Sequence, residues 1–146
     1  MLLPGSSDDC AAVLFVDDEP ALRNSMEAFG RMRGFTVVTA ADGLHALEEI
    51  GTTGFDAVVC DLRMPGMDGM ALHERLRRDR PGLATRTVFI TGDVVSTVTR
   101  STTMRQPVIS KPFAFEKLEE ALVAVLRGAP YAVSRITPAR GTEHVP

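Results

Sequence analysis

The stretch "FDAVVCDLRMPGMDGM", residues 55–70, decides how this chain is read. Its apolar or small run, Ala57 to Cys60, leads straight into Asp61, and Pro65, Gly66 and Gly69 follow. A core strand that carries a carboxylate off its end into a Pro/Gly loop is an unusual finish for a core element. The run predicts a strand over 56–60, and a helix from about Met67 to Asp79 follows it.

The same alternation extends in both directions. "AAVLFV" (11–16) is a continuous β-branched and aromatic run, the pattern of a strand buried on both faces. Pro20 then sits where a first helical turn tolerates it, Leu22, Met26 and Phe29 recur at helical spacing, and Gly34 ends the helix. "FTVVTA" (35–40) predicts a second strand, and Asp42 caps a helix whose stripe is Leu44, Leu47 and Ile50 and whose end is Gly51. "TVFIT" (87–91) and "PVIS" (107–110) predict the fourth and fifth strands. A last helix sets Phe115, Leu118, Leu122, Val125 and Leu126 on one face and stops at Gly128. Five strands alternating with helices imply a parallel sheet covered on both sides with right-handed crossovers. Residues 93–104, rich in Val, Ser and Thr, predict a short or distorted helix, and 129–146, with three prolines and no period, predict a disordered tail.

Composition narrows the function classes. The 146 residues suit one domain with a sizeable core, and 45% hydrophobic with 24% charged residues is a globular balance. A net charge of −3 gives no electrostatic case for direct nucleic-acid binding. Cys10 and Cys60 have no metal-type spacing, which suits a reduced, cytoplasmic protein. The N-terminus lacks the pattern of a signal peptide, and no apolar run approaches bilayer length, so no membrane contact is expected.

In an open α/β sheet the ligand edge is the one at the C-terminal ends of the strands. The first strand ends in Asp17-Asp18-Glu19, the third in Asp61, the fourth in Thr91-Gly92 and the fifth in Ser110-Lys111-Pro112. If the first and third strands are neighbours, at least three carboxylates crowd one edge, a costly arrangement unless a cation or bound protons neutralise it. Hard oxygen ligands suit Mg²⁺. Lys111 adds a mobile point charge for an oxyanion, and Thr91 adds a hydroxyl donor. This set points to phosphoryl transfer with Asp61 as nucleophile, forming an acyl phosphate.

The blocks "LFVDDEP", "CDLRMPGMDG", "FITGD" and "SKPF" resemble the signature blocks of the response-regulator receiver domain of two-component signalling, over roughly residues 11–127. The spacing matches too, with Thr91 thirty residues after Asp61 and Lys111 twenty after Thr91. The resemblance implies a doubly wound, flavodoxin-like sheet in the order 2-1-3-4-5 as a single domain over 11–128, after an N-terminal extension of residues 1–10. It implies that Asp61 is the phosphoacceptor and Asp18 the direct Mg²⁺ ligand. Asp17 is then the acidic partner acting through water, and the backbone carbonyl of Arg63 a third protein ligand. Thr91 is implied as the switch hydroxyl and Lys111 as the phosphate-pairing lysine, with a cis Lys111–Pro112 bond. The implied donor is a phosphohistidine on a sensor histidine kinase or a histidine phosphotransfer protein. The implied output is a switched face for an unknown downstream protein, with dimerisation on phosphorylation as one form.

Three departures from the family pattern stand out. Val108 replaces the frequent Tyr or Phe, the segment from Thr91 to Lys111 is short by a residue or two, and 93–104 is poor in helix formers. They keep two alternatives open, a receiver of a hybrid histidine kinase or phosphorelay and a degenerate receiver acting as a protein-binding scaffold. An aspartyl phosphatase of the haloacid-dehalogenase kind fits poorly, since "VDDEP" does not supply Asp-x-Asp-x-Thr. Other residues have plainer readings. "RLRRDR" (75–80) reads as a solvated helix end, His73 as a surface histidine, Cys60 as core packing, and Met64 and Met67 as loop packing. Arg63 and Asp93 flank the site and bear on the lifetime of a phosphoryl group.

Overall fold

The computed structural model describes residues 11–92 and 105–128. The expectations for residues 1–10, 93–104 and 129–146, Cys10 and Asp93 included, lie outside the described residues. Five strands, β1 (Ala11–Val16), β2 (Phe35–Ala40), β3 (Ala57–Asp61), β4 (Thr87–Thr91) and β5 (Val108–Ser110), form one sheet in the order β2-β1-β3-β4-β5. Every neighbouring pair is parallel. The helices are α1 (Pro20–Arg33), α2 (Gly43–Thr52), α3 (Gly69–Asp79), a four-residue α4 (Pro81–Ala84) and α5 (Phe115–Leu126).

Alternation along each strand divides the core into two layers. Val13 and Phe15 of β1, Val59 of β3, Ile90 of β4 and Ile109 of β5 pack with Met26 and Phe29 of α1 and Leu118 and Leu122 of α5. Leu14, Val16, Val58, Cys60, Phe89 and Val108 face the other way, against Ala46 and Ile50 of α2 and Leu72 and Leu76 of α3. Successive strand residues point to opposite faces, so runs that are apolar at every position must have both faces covered. Helix α1 begins with Pro20 and ends on Gly34, whose φ of 82° is the left-handed conformation that glycine adopts without steric cost. Asp42 caps α2 by accepting the backbone N–H of His45 at 2.8 Å.

Several local expectations are corrected. Leu44 is 66% exposed, and the buried stripe of α2 is Gly43, Ala46 and Ile50 with Leu47 partly covered. Gly51 lies inside α2, which runs on to Thr52. Helix α3 starts at Gly69 rather than near Met67, because Asp68 is its cap and accepts the N–H of Ala71 at 2.9 Å. His73 is not a surface residue: it is 8% exposed, with Nε2 3.0 Å from the carbonyl oxygen of Ala84 and its ring edge-on to Phe89. The short α4, opened by Pro81, folds back over α3 and supplies that carbonyl. Burial pushes the pKa of His73 below its ordinary value, against the pull of the Ala84 carbonyl.

Candidate functional site

Parallel strands bring all their C-terminal ends to one edge, and the two layers fix which face each end residue takes. Asp61 follows Ala57 and Val59 at two-residue steps, Asp17 follows Val13 and Phe15, and Lys111 follows Ile109. All three therefore carry the parity of the α1/α5 layer. The pairing of β1 with β3 meets the condition on which the carboxylate cluster depended. Carboxylate oxygens of Asp17, Asp18 and Asp61 lie within 4.8 Å of one another; Asp17 and Asp61 are buried and Asp18 is exposed.

Lys111 reaches into this cluster across β4. Its Nζ is 2.9 Å from Oδ2 of Asp61, to which it donates, 2.9 Å from Oδ2 of Asp17 and 3.7 Å from Oε1 of Glu19. The approach to Asp17 is an ion pair without hydrogen-bond angles, and Oδ2 of Asp17 is the one buried side-chain oxygen or nitrogen among the described residues that lacks a hydrogen bond. Burial pulls the Lys111 ammonium down, and its contacts with Asp17 and Asp61 more than reverse that, leaving its pKa above the ordinary lysine value. Burial, helped by the charge of Asp61, raises the carboxyl of Asp17 despite the opposing pull of Lys111 and the Glu19 N–H.

The local backbone sets these positions. Oδ1 of Asp17 accepts the N–H of Glu19 at 2.8 Å, and its own N–H reaches the carbonyl of Ala40 in β2 at 3.1 Å. Oδ1 of Asp61 accepts the N–H of Arg63 at 3.0 Å. Gly69 lets α3 begin directly against the end of β3: a Cβ there would stand 2.5 Å from the Asp61 carbonyl oxygen and 3.0 Å from Cα of Leu62. Thr91 is fully buried at the end of β4, one step beyond Ile90, which is paired with Asp61. Its carbonyl accepts the N–H of Lys111 at 2.7 Å, and the Lys111–Pro112 bond is cis.

The carboxylates of Asp17, Asp18 and Asp61, with exposed Glu19 beside them, outnumber the single ammonium and leave an excess of negative charge that a divalent cation offsets. Buried Asp17 Oδ2, short of a hydrogen bond, and a donor set made wholly of hard oxygens fit such an ion. Glu19, Leu22, Ser25, Lys111, Pro112 and Phe113 line an open cleft alongside. Cys60 packs into the α2/α3 layer as expected, its thiol pushed far up by burial, and Met64 is buried in the same layer. Val108, where an aromatic was the family pattern, is fully buried there too. Two contributors to the site escaped the sequence reading. Gly69 could have been suspected from the Asp-Gly pair. Arg23, whose Nη1 donates to the carbonyl of Asp17 at 2.7 Å, gave no signal because its partner is backbone.

The family model of the response regulator receiver domain matches residues 13–123. The chain is 38% identical over 117 residues to the transcriptional activator protein PfeR of Pseudomonas aeruginosa, covering 79% of this chain and 37% of that protein. It is 35% identical over 117 residues to the transcriptional regulatory protein TrcR of Mycobacterium tuberculosis, covering 79% of this chain and 45% of that one. The chain thus spans less than half the length of these curated relatives. A putative response regulator from Chloroflexus aurantiacus superposes with a TM-score of 0.71 at 29% identity, over 82% of this chain and 99% of that one. The chemotaxis protein CheY4 of Vibrio cholerae does so with a TM-score of 0.69 at 27% identity, over 80% and 98%.

Proposed function

Because this chain belongs to the response-regulator receiver domain family, we propose that Asp61 accepts a phosphoryl group from a phosphohistidine and that the phosphorylated chain switches a protein-binding face. The observation that carries the reading is the ammonium of Lys111, 2.9 Å from carboxylates of both Asp17 and Asp61, beside Asp18. Asp18 and Asp61, the backbone carbonyl of Arg63 and, largely through water, Asp17 are the groups that would hold Mg²⁺. When bound, the ion offsets the charge of the transferring phosphoryl oxygens. A carboxylate oxygen of Asp61 attacks phosphorus, the P–N bond to the donor imidazole breaks, and the imidazole leaves with that electron pair. Lys111 then follows the charge from the carboxylate to a phosphoryl oxygen, and the hydroxyl of Thr91 donates to another.

Transfer onto and off Asp61 is the chain's own chemistry, with no other substrate turned over. The donor is a sensor histidine kinase or a histidine phosphotransfer protein in the cytoplasm. The switched face includes β5 and α5, and the new position of Thr91 biases its two states. Val108 gives that face an aliphatic core contact in place of an aromatic rotamer. Among the described residues no helix is long and apolar enough to cross a membrane. The proposed role involves no direct nucleic-acid contact. The relatives named as transcriptional regulators are more than twice as long as the matched part.

Acetyl phosphate with Mg²⁺ tests the reading by intact-mass spectrometry. Wild type gains one phosphoryl group, and Asp61→Asn gains none. An unmodified wild-type mass under those conditions refutes it.

A further inference from the structure

Arg23 lies in the second turn of α1, six residues after Asp17, and is half-buried. Its side chain turns back over the loop that leads into its own helix, and Nη1 donates to the main-chain carbonyl of Asp17 at 2.7 Å. Its backbone N–H meanwhile closes the first helical bond, to the carbonyl of Glu19 at 3.1 Å. The loop from Asp17 to Glu19 is therefore held at both ends by one residue.

Three groups of Asp17 are fixed by this arrangement. The N–H is bonded to Ala40, Oδ1 to the N–H of Glu19, and the carbonyl to Arg23. Of these three bonds only the last has a side-chain donor, and it is charge-assisted, the stronger class. With the others in place it helps fix the carboxylate whose remaining oxygen, Oδ2, lies 2.9 Å from Lys111 without a hydrogen bond, in the cluster with Asp18 and Asp61. Two effects of Arg23 then oppose each other. As a neighbouring positive charge it repels a cation from the cluster. As a clamp it presents the carboxylate in a fixed geometry, as groups behind a metal ligand do.

We infer that Arg23 is a positioning residue for the divalent-cation site, holding Asp17 through its main-chain carbonyl, and that the clamp outweighs the charge repulsion. This rests on the metal reading of Asp17, Asp18 and Asp61 given above. The two effects predict opposite signs, so the affinity for Mg²⁺ alone separates them. Calorimetric titration of Arg23→Ala and Arg23→Met yields binding about tenfold weaker than wild type, although both variants remove a positive charge. Arg23→Lys, which keeps charge and reach, recovers most of that loss. In the metal-free protein, the Glu19 amide resonance shifts in the Ala and Met variants and stays near its wild-type position in the Lys variant. Cooperative thermal unfolding checks that each variant is folded, and the Met and Lys variants carry the test if the Ala variant is not. Equal or tighter Mg²⁺ binding by a folded Ala or Met variant overturns the role of Arg23 and leaves the metal reading standing. Failure of wild type to bind Mg²⁺ overturns the metal reading itself.

Discussion

The ammonium of Lys111 reaches over β4 to lie 2.9 Å from Oδ2 of Asp61, so β5 and β3, which are not neighbours in the sheet, are tied by charge at their ends. The same nitrogen is equally close to Oδ2 of Asp17 on the β1 side. One lysine is thus the counter-charge for two buried carboxylates.

Removing it leaves those carboxylates facing one another. Lys111→Ala is expected to lower metal-free stability by roughly 2 kcal/mol, since truncating one partner of a buried ion pair strands the other. Added Mg²⁺ restores much of the loss by binding only the folded chain. Urea unfolding with and without the ion measures both. A variant as stable as wild type in the absence of metal contradicts the charge balance described for the site.

Gly69 is predicted to tolerate no side chain. A methyl group there meets the backbone of Asp61 and Leu62 at 2.5 and 3.0 Å, and neither is a flexible side-chain end that can swing away. Gly69→Ala should cost about 2–3 kcal/mol and slow labelling by acetyl phosphate, because relief comes from moving the end of β3 that carries Asp61. Denaturation midpoints and labelling half-times read the two effects separately. Unchanged values for both show that the turn yields without disturbing Asp61.

His73 gives stability a pH dependence of definite sign. Burial lowers its folded-state pKa, while the unfolded chain titrates near the ordinary value of about 6.5. Between those two values the unfolded chain binds the extra proton. The contribution is therefore complete above about pH 6.5 and is lost as pH falls toward the folded value. Glu74 and Arg77 bear on it with opposite signs, and Arg77 favours the neutral ring. Urea midpoints between pH 7.5 and 5.5 should fall more steeply for wild type than for His73→Gln. Parallel slopes for the two proteins count against this assignment.

The sheet was legible because strands buried on both faces leave unbroken apolar runs, and the site because four of these runs end on polar residues, aspartate twice, threonine and lysine. The sequence alone could not place His73. It shares its helix with Leu72 and Leu76, and whether the next position is covered depends on α4, a four-residue turn too short to show a period. Leu44 fell on the wrong side for a related reason. At the first turn of α2 a three-residue spacing from Leu47 fits two faces, and only packing chooses Gly43, Ala46 and Ile50. Arg23 left no trace at all, since a bond to a main-chain carbonyl requires nothing of the side chain at position 17.

Lys111 is delivered by a strand of only three residues that, among the described residues, pairs with β4 alone. A chain folded through β4 and no further already owns every carboxylate of the cluster but none of the counter-charge. On the proposed function, phosphate uptake at full rate therefore requires β5 to be in place. It certifies that the outermost strand has docked, so a half-assembled molecule stays electrostatically mute.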